Sequence, residues 1–307
     1  MAVSQEIHPG QASQTSLASH PGGAPLRLHA ALLFLTALLL FAALDATAKH
    51  LSAFIAVPLL VWARYLVHLV IMLVAIAPSM GRRLIVTERP WLMSLRGLTL
   101  VAVTLFGQLA LKTLPLAETT ALVFVAPLLV ALLAAPLLGE KVRLRTWLAT
   151  IAGFVGVLLI ARPGGSLFGP GVAYALGAAL SYAAYQILTR KLAASEHPMR
   201  LLFYTALLGT LAMLPVLPAY WEGIWPTPTQ SLLILSLGLY GGIGHFMLIR
   251  AFHTTSASLL APLLYTQLVW ATLLGWLVFD HFPDVLTVVG MLVIGASGLS
   301  LAIRGRR

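Results

Sequence analysis

Arg64 stands in an apolar run, VPLLVWARYLVHLVIMLVAIA, with His68 four residues further on. On a helix the two share a face. Asp45 interrupts a second apolar run, LLFLTALLLFAALDATA, and Lys49 follows it at the same spacing. His245 lies in LYGGIGHFML, beside Gly241, Gly242 and Gly244. A guanidinium, a carboxylate or an imidazole is costly to desolvate in such surroundings, so each needs a partner or a task. Arg64 and Asp45 admit two readings: an ion pair that fixes two helices, or an anion-binding or proton-sensitive site. Lys49 competes for Asp45. An imidazole titrates near neutral pH, so His245 is either a coupling group or a hydrogen-bonding link between helices.

Amides and aromatic rings make a second set. Tyr182, Tyr185 and Gln186 gather towards one helical face, as do Tyr265, Gln267 and Trp270, while Thr104, Gln108 and Lys112 follow at successive steps of four. An amide facing hydrocarbon goes unsatisfied. The expectation is a cavity of aromatic walls with few polar groups, the usual make-up of a small-molecule site. Its expected substrate-binding residues are Arg64, Gln108, Tyr182, Gln186, His245, Tyr265, Gln267 and Trp270. Asp45, Glu118 and His245 are the expected proton-coupling or ion-pair groups. Glu118 also opens its helix, where a carboxylate suits the N-terminal dipole. Glu140, beside Lys141, Arg143 and Arg145, is expected to tie a turn together. Arg96 is expected to snorkel to the nearby surface, and Trp91, Trp221 and Trp225 suit the lipid interface. The sequence has no cysteine, no Gly-x-Ser-x-Gly elbow, no His-Glu-x-x-His and no Walker A motif. No enzyme, no ATP-driven pump, no metal and no cofactor is therefore expected.

The elements that must hold these residues follow from composition. Of 307 residues, 60% are hydrophobic and 9% charged, with a mean hydropathy of +0.95. A soluble domain carries about 25% charged residues, so lipid is the fitting solvent. Ten stretches are long and apolar enough to span: 29–50, 55–77, 91–111, 117–138, 145–161, 169–190, 199–218, 230–251, 257–279 and 285–303. Arg64 then lies about nine residues, roughly 13 Å at 1.5 Å per residue, from the outer end of its span. Pro127 and Pro262 each remove a helical donor and are candidate hinges. Residues 1–28, rich in Gln, Ser, His, Pro and Gly, read as a disordered cytoplasmic tail. A cleaved signal is the competing reading, since Ala46-Thr47-Ala48 follows the apolar run, but Arg27 is the only strong cation ahead of it.

With the N-terminus placed inside, fourteen Lys and Arg fall on the cytoplasmic side and three, Lys49, Lys112 and Arg162, outside. That positive-inside bias predicts an even number of spans with both termini cytoplasmic. It also turns the net charge of +10 into an orientation signal, so the expected partners are a lipid bilayer and a small molecule, without nucleic acid. The chain is expected to act as a monomer or homodimer.

One stretch recurs. Ala110 to Glu140 and Ala251 to Asp280 each begin with Ala, run through an apolar helix and end on an acid, 30 and 29 residues on. Gly153-x-x-Gly156 and Gly295-x-x-Gly298 follow the two acids. Duplicated halves with an odd number of spans between them lie inverted in the membrane and place a site at their interface.

Gly139-Glu140, Trp147, Gly153-Phe154-x-Gly156 and Arg162-Pro163-Gly164, with Tyr265-x-Gln267-x-x-Trp270-Ala271 and Phe279-Asp280-x-x-Pro283-Asp284 in the second half, resemble the EamA repeat of the drug/metabolite transporter superfamily. The resemblance implies an all-α membrane protein of ten helices, built as two inverted five-helix repeats over residues 29–161 and 169–303. It further implies a central cavity and transport of small organic metabolites. Phe279-Asp280 departs from the Gly-Glu usual in the family. The expected function is secondary transport of an amino acid or related metabolite across the inner membrane by alternating access. A vitamin such as riboflavin is the alternative substrate, and an intramembrane enzyme or a channel the lesser alternative.

Overall fold

The computed structural model describes residues 24–138, 144–162, 164–165, 167–192, 195–223, 225–254 and 260–304. Glu140, Lys141, Arg143 and most of the N-terminal tail lie outside the described residues. The described residues are helical, without strands. We label the main helices α1 (Ala24–Leu51), α2 (Val57–Ile71), α3 (Pro90–Thr113), α4 (Leu116–Val123 and Ala126–Leu138), α5 (Leu144–Ala161), α6 (Pro170–Leu192), α7 (Pro198–Met213), α8 (Pro228–Thr254), α9 (Thr266–Phe279) and α10 (Val285–Arg304). Proline opens α3, α6, α7 and α8, where its missing N–H costs no helical bond. Among the described residues seven helical segments are long and apolar enough to cross a membrane, and shorter apolar helices occupy 146–161, 263–279 and 285–300.

The packing repeats when each helix is exchanged for the one five places later. α1 lies along α8 as α6 lies along α3; α2 meets α8 as α7 meets α3; α1 meets α9 as α6 meets α4. The pairs α2–α7 and α5–α10 map onto themselves. Glycines set two of the equivalent crossings. A Cβ at Gly97 of α3 would meet Leu208 of α7 at 2.6 Å, and one at Gly238 of α8 would overlap Val67 of α2. Gly238 follows Gly97, and Leu208 follows Val67, by the 141 residues that separate Ala251 from Ala110.

Two helices are discontinuous at matching levels. α4 breaks at Phe124 and Val125, where the N–H groups of Leu128 and Leu129 both reach the Val125 carbonyl. Pro127 has no N–H to offer the Val123 carbonyl. α9 is preceded by a 3₁₀ turn, Ala261–Tyr265, that contains Pro262.

Arg96 does not snorkel. It is 3% exposed and bridges the two halves. Its guanidinium donates to Thr189 Oγ1 (2.8 Å), the Leu201 carbonyl (2.9 Å), Thr205 Oγ1 (3.0 Å) and Tyr185 Oη (2.7 Å). Its depth along α3 was read correctly; the acceptors that α6 and α7 bring to its face were invisible in one helix.

Two polar clasps close the ends. At one end Lys49 Nζ donates to the carbonyls of Leu111 (2.6 Å) and Leu114 (2.8 Å), the C-terminal carbonyls of α3, and faces the Phe279 ring. Lys49 is therefore engaged with α3 rather than with Asp45. Arg162 donates to Asp284 nearby, and this bond, with the Thr287 N–H, holds the Asp284 carboxyl far below the ordinary carboxylate range. At the opposite end the buried Glu196 accepts from Thr87 and from Arg200 (2.5 Å), whose Nε donates to the Arg83 carbonyl. Asp280 ends α9 in a left-handed conformation, φ 51°, and is exposed.

Candidate functional site

Between the halves lies a cavity of about 270 Å³. Asp45, Arg64, Gln108, Tyr182, Gln186, His245 and Gln267 all line it, so seven of the residues singled out from sequence meet in one space. α1, α2, α3, α4, α6, α8 and α9 all contribute to its wall.

The lining follows the repeat. Phe41 and Asp45 of α1 stand 141 residues before Tyr182 and Gln186 of α6. Thr104 and Gly107 of α3 stand 141 before His245 and Leu248 of α8, and Phe124 and Pro127 of α4 stand 140 before Leu264 and Gln267 at the start of α9. The same shift from 141 to 140 separates the starts and the acids of the two sequence copies. Equivalent positions of both halves therefore face one space, although the side chains that occupy them differ.

The glycines around His245 make room for its neighbours. A Cβ at Gly241 would sit 3.8 Å from Arg64 Nε, and one at Gly244 would meet the Phe41 ring at 2.8 Å. Phe41 packs on the His245 imidazole with centroids 4.9 Å apart. Arg64 and His245 also border a small side chamber of about 10 Å³ with Tyr65, His68 and Thr205, enough for about one water.

No ion pair within 4 Å joins Arg64 to Asp45 among the described residues. Both face the cavity, which leaves each charge open to a third party. The glutamines are open too. Gln108 is 4% exposed and neither its Oε1 nor its Nε2 has a hydrogen-bonding partner; Gln267, 6% exposed, has an unpartnered Oε1. Leaving such a buried group unpaired costs about 1–3 kcal/mol.

Other expected members lie elsewhere. Tyr265 is absent from the lining; its ring packs edge-on to Phe124 at 5.7 Å and its hydroxyl fills the space over Gly298. Trp270 packs on a cluster of Phe34, Leu38, Ala251 and Leu260. Tyr185 stacks on Tyr182 at 5.9 Å and serves Arg96. Glu118, 2% exposed in the first turn of α4, accepts from or donates to His281 Nε2 at 3.1 Å and does not reach the cavity. The lining includes Thr119 and Thr120, which sequence reading passed over. Their hydroxyls donate to carbonyls of their own helix (2.9 and 2.8 Å), which leaves oxygen lone pairs to accept.

Apolar helices around a buried, sparsely polar cavity define a multi-pass membrane protein with a central small-molecule site. The EamA-like transporter family model matches residues 28–162 and 169–303, and the chain belongs to that family. It is a transporter of small metabolites. The chain is 32% identical over 214 residues to the S-adenosylmethionine uptake transporter of Rickettsia prowazekii (strain Madrid E), covering 70% of this chain and 72% of that protein. It is 28% identical over 297 residues to the riboflavin transporter of Vibrio cholerae serotype O1, covering 94% of each. A solved crystal structure shares the fold with a TM-score of 0.63 at 24% identity, over 91% of this chain and 99% of that one.

Proposed function

We propose that the protein is a secondary transporter with ten spans in two inverted repeats, which carries S-adenosylmethionine or a close relative across the bacterial inner membrane by alternating access. Both termini face the cytoplasm in this reading, supported by the sidedness of Lys and Arg. The observation that carries it is the central cavity in which Asp45 and Arg64 both face the same space unpaired. A zwitterion with a further positive centre suits that arrangement. A carboxylate takes the guanidinium. The sulfonium or ammonium takes Asp45 and the faces of Phe41 and Tyr182. A planar ring fits among the remaining aromatic and amide groups. Repeat-equivalent lining supports alternating access, because each half can adopt the other's conformation about a shared site.

Riboflavin is the second reading, favoured by the near-complete overlap with the Vibrio cholerae relative and by the mostly apolar wall. It leaves Asp45 without a cation. Purified protein in liposomes decides between them: saturable counterflow of labelled S-adenosylmethionine, uncompeted by riboflavin, is expected. Counterflow of riboflavin alone overturns the substrate, and unsaturable conductance overturns the carrier.

A further inference from the structure

We infer that Gln108 is the specificity-determining residue that reads the edge of a planar heteroaromatic ring, with Gln267 as a second amide on the same ring. The inference rests on the reading that this cavity holds the substrate.

Gln108 is the buried polar side chain of the lining with both functional atoms unpartnered. A primary amide offers one acceptor and two donors in a fixed plane. Left empty, that plane is a penalty, since an amide in a dry wall loses its water bonds without replacement. A ligand edge that presents a donor beside an acceptor satisfies both atoms at once. An aminopurine edge has this pattern, and glutamine pairs with it in two bonds. A lone carboxylate or sulfonium does not have it.

The neighbours assign the rest of the ligand elsewhere. Thr104, one turn from Gln108 on α3, is already bonded to Tyr65 Oη (2.7 Å) and to the Leu100 carbonyl (3.0 Å), so it does not serve the amide. Asp45 and Arg64 stand on α1 and α2, where they suit the charged end. Gln267 stands on α9, with its Oε1 unpartnered. It occupies the position that Pro127 holds in the first half, so the second amide has no counterpart there. The ring end is thereby defined by α3 and α9, and the charged end by α1 and α2.

The test compares two sulfonium amino acids that differ in the ring. S-adenosylmethionine carries adenine; S-methylmethionine has the same zwitterion and sulfonium without it. Equilibrium binding is measured on full-length wild-type protein and on Gln108→Leu, with thermal unfolding of both in the absence of ligand. Wild type is expected to prefer S-adenosylmethionine by about tenfold or more, the value of one bidentate pair. Gln108→Leu is expected to erase the preference, leave S-methylmethionine binding within about twofold, and unfold at a higher temperature than wild type because an unpaired amide has gone. Equal weakening of both compounds, or a lower unfolding temperature with the preference intact, overturns the inference and makes Gln108 a structural residue. Failure of the substrate reading looks different: wild type then binds neither compound, which overturns both.

Discussion

The two halves of the molecule meet at the cavity with the same positions and different chemistry. Asp45 faces Gln186 across the repeat, Arg64 corresponds to Thr205, Thr104 to His245 and Pro127 to Gln267. The first half supplies an acid and a base, and the second supplies an amide and a hydroxyl at the matching places. Packing, by contrast, obeys the repeat closely, as the paired glycine crossings at Gly97 and Gly238 show. Backbone symmetry serves the motion, since either half can take either conformation. The substrate has no such symmetry, and the side chains that touch it need none.

The largest effect is expected where the asymmetry is most charged. Arg64→Met should lower transport about a hundredfold, in line with about 2–5 kcal/mol for one member of a desolvated charge pair. Folded yield should stay near wild type, because Arg64 makes no direct ion pair with Asp45 whose loss would strand a carboxylate. Asp45→Asn on top should not rescue transport. Rescue of yield by the double variant would restore the structural pair as the better account, and normal transport by the single would remove Arg64 from the site.

A swap probes the comparison directly. Asp45→Gln should cost transport about thirtyfold or more, at the lower edge of the same range. Adding Gln186→Asp moves the acid to the equivalent place in the other half. The double variant is expected to stay inactive, since Arg64 keeps its place while the acid changes sides. Recovery above a tenth of wild-type flux would mean that the cavity is symmetric in function as well as in backbone.

Stability should change next. Arg96 corresponds to Leu237 in the second half, and Arg96→Leu removes hydrogen bonds that join α3 to α6 and α7. Each such bond from a charged donor is worth about 1.5–3 kcal/mol. The unfolding temperature should drop by several degrees, whereas ligand affinity of the folded fraction should not move, because Arg96 does not line the cavity. Unchanged unfolding would show that this tie contributes little to the joint between halves.

Helical periodicity and the cost of an amide in lipid were enough to gather Gln108, Gln186, Gln267, Tyr182, His245, Arg64 and Asp45 into one group, and the structure puts them around one space. Tyr265 was misassigned for a geometric reason. It ends a 3₁₀ turn, whose three residues per turn rotate it off the face that a 3.6-residue helix shares between Gln267 and its neighbours. Trp270 looked like a wall because large aromatics usually are, yet α1 and α8 bring Phe34 and Ala251 to cover it. Thr119 and Thr120 gave no signal, since hydroxyls that bond their own helix read as ordinary helix residues. Phe41 and Phe124 were legible in principle through the constant offset to Tyr182 and Leu264, a relation that needs the whole repeat rather than one motif.

The smallest effect concerns the two ends, whose clasps differ as the halves do. One end is held by Lys49 on the carbonyls of Leu111 and Leu114, the other by Glu196 between Thr87 and Arg200. In an alternating carrier each clasp belongs to the state in which its end is closed, so weakening one shifts the population towards the state open there. Lys49→Met removes two charge-assisted bonds at a partly exposed site. A net bias of about 1 kcal/mol moves a two-state ratio about fivefold. The chain has no cysteine, so a single Thr119→Cys in the cavity wall gives a clean label. With the topology proposed above, Lys49→Met should raise labelling by an impermeant reagent from the outer face by roughly that factor, and Glu196→Gln should raise it from the inner face instead. Both variants shifting access to the same face would mean that the clasps act together as one structural belt, and the asymmetry between the ends would then have no part in the transport cycle.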